Sequence, residues 1–256
     1  MSDTYARVMR ATDGPADRRT TRSRAPRRPG VVRDSVAGNP AAASAAQAAV
    51  AESPAEATFA AAVAAFTAGR EAQRRRDLLF EDVPAPKRLA PFAIAMAATV
   101  RRDEADVAWG RLVLLYDPDG QQGWNGLFRL VAYVRADVEP EMAADPLLGE
   151  VGWSWLSEAL DARVPGYAVP SGTVTRVITE GFGAKQDELP LTGFELRASW
   201  SPTGPDNLPG FADHADHADL DALDLSAHIA AWCDCLSAAA GLEPPGTRAL
   251  RQPGHG

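Results

Sequence analysis

Cysteine is scarce in this sequence: two residues in 256, Cys233 and Cys235. That excludes the disulfide framework of small secreted folds. Long apolar runs are missing as well. None approaches the roughly 18 residues that a membrane-spanning helix requires. The first residues, MSDTYARVMRATDGPADRRTTRSR, hold no apolar stretch able to serve as a secretory signal. Their Arg, Ser and Thr content imitates an organelle transit peptide, but Asp3, Asp13, Asp17 and Asp34 interrupt it. The expectation is a cytoplasmic protein with no membrane partner. Several catalytic signatures are absent too: there is no P-loop, no GxSxG and no Ser/His/Asp arrangement. The glycines at 120, 123 and 126 precede a strand-like run, whereas a dinucleotide-binding turn must open a helix. No cofactor is expected.

What is present is unevenly placed. The chain carries a net charge of −8. Residues 1–53 hold nine Arg and five acids, a surplus of four positive charges, while the remainder holds 17 basic and 29 acidic residues. An acidic folded part argues against broad duplex binding, which needs a basic face. Residues 1–52 combine Arg, Ser, Pro, Gly and Ala with few large apolar side chains, so they cannot offset their ordering entropy and are expected to be a disordered basic tail.

At Ser53 the character changes. Ser53-Pro54-Ala55-Glu56 is a capping box with proline in the first helical position, and Phe59, Val63 and Phe66 repeat at helical spacing to about Arg74. FEDVPAPKRLAP must be extended. Phe92, Ile94, Met96, Ala98 and Val100 then alternate as one face of a strand. Residues 107–138 read as a hairpin about the turn DPDG at 117–120, apolar enough on both sides to need cover on both. Asp145-Pro146 opens a helix that Gly166 ends. Strand patterns at 173–180 and 193–200 and a helix at about 225–240 complete the chain. The fold class is α+β: an antiparallel sheet with element order α-β-β-β-α-β-β-α. It forms a single domain over 53–245, with 246–256 a second disordered tail. That order is similar to type III secretion chaperones and related dimeric folds, so the topology is chaperone-like and a homodimer is expected.

Candidate chemistry is sparse. His214 and His217, with Asp213, Asp216, Asp219, Asp221 and Asp224, have ligand-like spacing, but the stuttering ADHADHADLDALDL offers no rigid support, and no metal site is assigned. Cys233 and Cys235 lie about 200° apart on a helix, which suits buried thiols, with His228 packed against Trp232. Asp117, Asp119 and Gln121 begin like a calcium loop, but Pro118 and the missing Glu make this a turn. The most informative pattern is arginine inside strands. Arg111 is in phase with Val113 and Leu115; Arg129 and Arg135 are in phase with Val131 and Tyr133; Arg176 and Arg197 sit mid-strand in the second hairpin. A guanidinium row on one sheet face can bind anions or carboxylates, or it can pair internally with Glu180 and Glu195. Trp124, at the hairpin tip, is the candidate exposed aromatic anchor. Trp109, Trp153, Trp155 and Trp200 are read as core.

The ordered segments PAPKRLAPFAIAMAATV, WGRLVLLYDPDG, FRLVAYVRADVEPEMAADPLL, VGWSWLSEAL, TVTRVITEGFG and ELRASWSP resemble the actinobacterial domain-of-unknown-function 3000 family over roughly residues 56–245. The resemblance implies no activity, cofactor or catalytic residue. A gene neighbourhood beside ribonuclease D goes with it, implying a loose RNA-processing association. Where the family's second hairpin reads SESFG, this chain has Thr179-Glu180-Gly181-Phe182-Gly183, without the serine at 181. The leading functional expectation is a non-enzymatic module binding a protein or peptide through Arg111, Arg129, Arg176, Arg197 and Trp124. An RNA-associated accessory protein and an enzyme of undefined reaction are the alternatives.

Overall fold

The computed structural model describes residues 53–205 and 220–242. The expected tails at 1–52 and 246–256, and the His214–His217 loop, lie outside them. Helix α1, Pro54–Ala72, starts at the expected capping box: Ser53 Oγ accepts from the Glu56 amide, and Glu56 accepts from the Ser53 amide at 2.7 Å. Its buried residues are Thr58, Ala62, Phe66 and Gly69, one row shifted from the expected Phe59–Val63–Phe66 stripe. Phe59 joins the core at its edge, stacked on Tyr116.

Six antiparallel strands follow: β1 Leu78–Asp82, β2 Phe92–Arg102, β3 Ala105–Tyr116, β4 Phe128–Asp137, β5 Tyr167–Thr179 and β6 Leu191–Pro202. They form one sheet in the order β1-β2-β3-β4-β6-β5. The expected element order holds, with β1 as one strand more. Part of the run read only as extended pairs with β2, Leu78 opposite Val100 through Asp82 opposite Met96. The hairpin turn forms at DPDG, where the Gly120 amide donates to the Asp117 carbonyl at 3.0 Å.

Between the two halves of the sheet lie α2, Pro140–Ala144, and α3, Leu148–Arg163. Asp145 is not the N-cap of one long helix; it closes α2, and its carboxylate receives the Leu147 amide. Helix α3 stops at Arg163, three residues before Gly166. Pro165 is the reason, since the residue before proline is driven out of helical geometry, and Val164 is extended. The last described helices are α4, Leu220–Leu223, and α5, Leu225–Ala239.

Helices α1, α3 and α5 cover one face of the sheet. Against them lie Met96, Ala98, Val100, Leu112, Leu114, Phe128, Leu130, Val134, Phe194, Leu196 and Trp200, the alternate residues of four strands, as a period of two requires. Helix α5 sits at the centre, with Ile229, Trp232, Cys233, Cys235 and Leu236 fully buried. Its Trp232 rests directly on the β3 backbone, for a Cβ at Gly110 would come within 2.9 Å of the indole. No helix among the described residues is long and apolar enough to cross a membrane.

The second face of the sheet is covered only in part. Residues 83–90, the VPAPKRLA strap, cross it and bury Leu89 with Ala95, Val113, Leu115, Val131 and Trp124. Arg111 holds the strap by donating to the Pro84 carbonyl. Gln121 holds it from the turn, donating to the Leu89 carbonyl at 2.9 Å and to Asp117 at 3.0 Å. The remainder has no element of the described chain above it.

Candidate binding surface

Strand register decides which side chains meet on the half-bare face. One row runs Ala97, Arg111, Tyr133, Arg197, Thr173 across five strands, and the next runs Thr99, Trp109, Arg135, Glu195, Thr175. Arg111, Arg129 and Arg197 therefore share this face, with Arg135. Arg176 does not. It is opposite Phe194 on the helix side and donates to the Asp145 carbonyl at 2.9 Å.

The arginines on the shared face differ in what they can offer. Arg129 is 7 % exposed. Its guanidinium donates to Ser199 Oγ at 2.8 Å, the Val169 carbonyl at 3.0 Å, the Ser199 carbonyl and Ser201 Oγ at 3.2 Å each, and Ser171 Oγ at 3.4 Å. It ties β4 to β6 and β5. Arg111 is half-buried on the strap, and burial lowers its pKa. Arg197 lies 5.3 Å from the Tyr133 ring centroid and 3.3 Å from Glu195. Trp124 is not the exposed anchor expected. It is 5 % exposed, because the turn folds back over Val131 and Leu115, and Ser201 Oγ donates to its carbonyl.

What the bare half presents is an aromatic and cationic cluster. Trp109 and Tyr133 meet edge to face, ring centroids 5.6 Å apart. Beside them is Arg135, exposed and with no ion pair among the described residues. These three, with Asp106, Val107, Ala108, Ala136 and Asp137, line a concavity of about 380 Å³. Burial raises the Tyr133 pKa to about 12, and the Glu195 carboxylate adds to the rise, so its phenol stays a neutral hydrogen-bonding group. The arrangement is a part-exposed indole with Arg135 beside it, carboxylates at the rim, and Tyr133, 8 % exposed, closed beneath Arg197. Trp109 and Tyr133 share phase with Arg111 and Arg135 along their strands, and that shared parity is the sequence signal that places them on this face rather than in the core.

The other candidates are structural. Cys233 and Cys235 are buried thiols, as expected, each with its pKa raised to about 12 by desolvation. His228 accepts a hydrogen bond from Trp200 Nε1 at 3.1 Å, and burial lowers its pKa to about 3. No group of three or more His, Cys, Asp or Glu among the described residues is placed to hold a metal ion.

A family model described as "Protein of unknown function (DUF3000)" matches residues 55–248. The chain belongs to the DUF3000 family. The DUF3000 match takes in every strand of the sheet and all but the first residue of α1, so the half-covered face and its aromatic cluster lie inside the matched region. No curated protein and no solved structure matches this DUF3000 chain.

Proposed function

We propose that this DUF3000 protein is a binding module that takes a peptide segment on the bare half of its sheet. A single observation carries the reading. The strap closes one half of the face over an apolar floor, whereas the other half leaves Trp109, Tyr133 and Arg135 around a concavity of about 380 Å³. That volume suits one or two side chains. An apolar side chain settles on Trp109, beside the 8 % of Tyr133 that is exposed, and a neighbouring carboxylate pairs with Arg135, whose planar fork can grip both oxygens. Asp137 and Asp106 at the rim, the latter paired with Arg101, favour a peptide backbone over a phosphate chain. Burying one such side chain contributes about 1.5–3 kcal/mol.

The test is selection of a displayed random-peptide library on the full chain, followed by titration of enriched peptides against Trp109→Ala and Arg135→Glu. Enrichment of an apolar residue next to Asp, Glu or the C-terminal carboxylate, lost in both variants, supports the reading. If no sequence is enriched, or binding survives both substitutions, it fails. Binding of single-stranded RNA oligonucleotides that weakens with salt and with Arg135→Glu would favour an RNA platform in its place.

A further inference from the structure

The two edges of the sheet are built differently. Strand β1 is five residues long, ends in Glu81 and Asp82, and has Asp82 paired with Arg70 of α1. Short length and charge are the usual protections against pairing with another chain. Strand β5 is long and nearly uncharged, with Pro170 and a bulge only at its start. It runs 13 residues, and Arg176 is its only charge. A register shift between Ala168 and Ser171 interrupts its start, leaving Ser171–Thr179 as an unbroken edge rich in Thr, Val and Ile. Among the described residues no backbone outside β6 hydrogen-bonds to this segment.

We infer that β5 pairs antiparallel with β5 of a second copy of the chain, making one continuous twelve-stranded sheet. The segment is self-complementary about Thr175. A two-fold axis there sets Thr175 opposite Thr175, Thr173 opposite Val177, and Val174 opposite Arg176, so the single charge never faces itself. On the helix side Gly172 meets Ile178 of the other copy. Ile178 is 54 % exposed in the single chain. At Gly172 the missing side chain is replaced by Trp153 of α3, 2.5 Å from where a Cβ would stand, and this indole forms the surface that Ile178 covers. β-Branched residues opposite one another are also the pairs a sheet favours. The open face bearing the concavity continues across the axis, so pairing leaves that surface exposed and the two readings are independent.

Sedimentation equilibrium of the full chain, together with two variants, tests the inference. Wild type is expected at the mass of two chains. Thr175→Lys, which sets two ammonium groups opposite each other, is expected at the mass of one with an unchanged circular dichroism spectrum. Thr175→Cys, oxidised with copper phenanthroline, is expected to cross-link at least tenfold faster than Asp119→Cys at the hairpin turn, and Cys233 and Cys235 are too buried to compete. A wild-type chain that is monomeric at micromolar concentration overturns the inference. So do a Thr175→Lys variant that remains dimeric and a Thr175→Cys variant that cross-links no faster than the control.

Discussion

Replacing Arg129 with alanine should cost stability without touching the bare half of the face. The guanidinium is buried and, among the described residues, makes five hydrogen bonds to β5 and β6. Truncation strands the Val169 carbonyl and part of the Ser199 donor–acceptor set, while Ser201 keeps the Trp124 carbonyl. Stranded buried groups cost about 1–3 kcal/mol, and the lost aliphatic stem adds roughly another 1 kcal/mol. The net is a loss of about 3 kcal/mol, a large share of the roughly 5–15 kcal/mol that holds an ordinary domain together. Val169 sharpens the test. This β-branched residue has φ +44, a left-handed conformation costing about 1–3 kcal/mol, and Arg129 anchors its carbonyl. In Arg129→Ala the bulge should relax, and amide exchange at Val169 and Ser171, on either side of Pro170, should quicken more than elsewhere. Val169→Gly should gain about 1 kcal/mol in the native background and less beside Arg129→Ala. Urea unfolding of the four chains measures all of it. A loss below about 1 kcal/mol, too small for a stranded buried carbonyl, with uniform exchange, would refute the reasoning.

Three further outcomes follow from the buried side of the sheet. Gly152→Ala drives a methyl group to within 2.2 Å of the Phe194 ring. It should destabilise by about 1–3 kcal/mol through overpacking, read as a lowered urea midpoint; an unchanged midpoint would show that α3 can lift away freely. His228 takes up a proton near pH 6.5 when unfolded but only near pH 3 when folded. Its contribution is therefore full above 6.5 and lost as the pH falls toward 3, about 2 kcal/mol of it between pH 7 and pH 5. A wild-type chain that loses no more than His228→Asn over that interval counts against it. Cys233 and Cys235 should react with a thiol reagent only as fast as the native chain opens, and a rate set by reagent concentration alone would mean that α5 is exposed.

Much of this architecture is visible in the residues. The Ser53–Glu56 box, the alternation from Phe92 to Val100 and the turn at Asp117–Gly120 each act through local geometry, so each could be read without knowing its neighbours. The in-phase arginines could be placed on a common face of their own strands for the same reason. What a single strand cannot reveal is its partner. Arg176 and Arg197 look equivalent in sequence, yet the β5–β6 register sends one to the helix side and the other to the open face. Trp124 looked like an exposed tip because a turn by itself says nothing about the sheet it folds back upon. Trp109 carried the opposite error: a large aromatic suggests burial, but the strap ends before it arrives there. Helix α3 stopped early because proline at 165 overrode the glycine one residue on.

Helix α5 has a bearing on how the chain comes to be folded at all. It is the last of the described helices in chain order, and α1, α3 and the inner strands all close upon it. During synthesis the sheet emerges with its greasiest surface uncovered and stays so until Trp232 and its neighbours leave the ribosome. A product cut short before residue 225 has no apolar plug and should be captured by chaperones or precipitate. Messages that end early there are therefore expected to leave no half-active remnant in the cell.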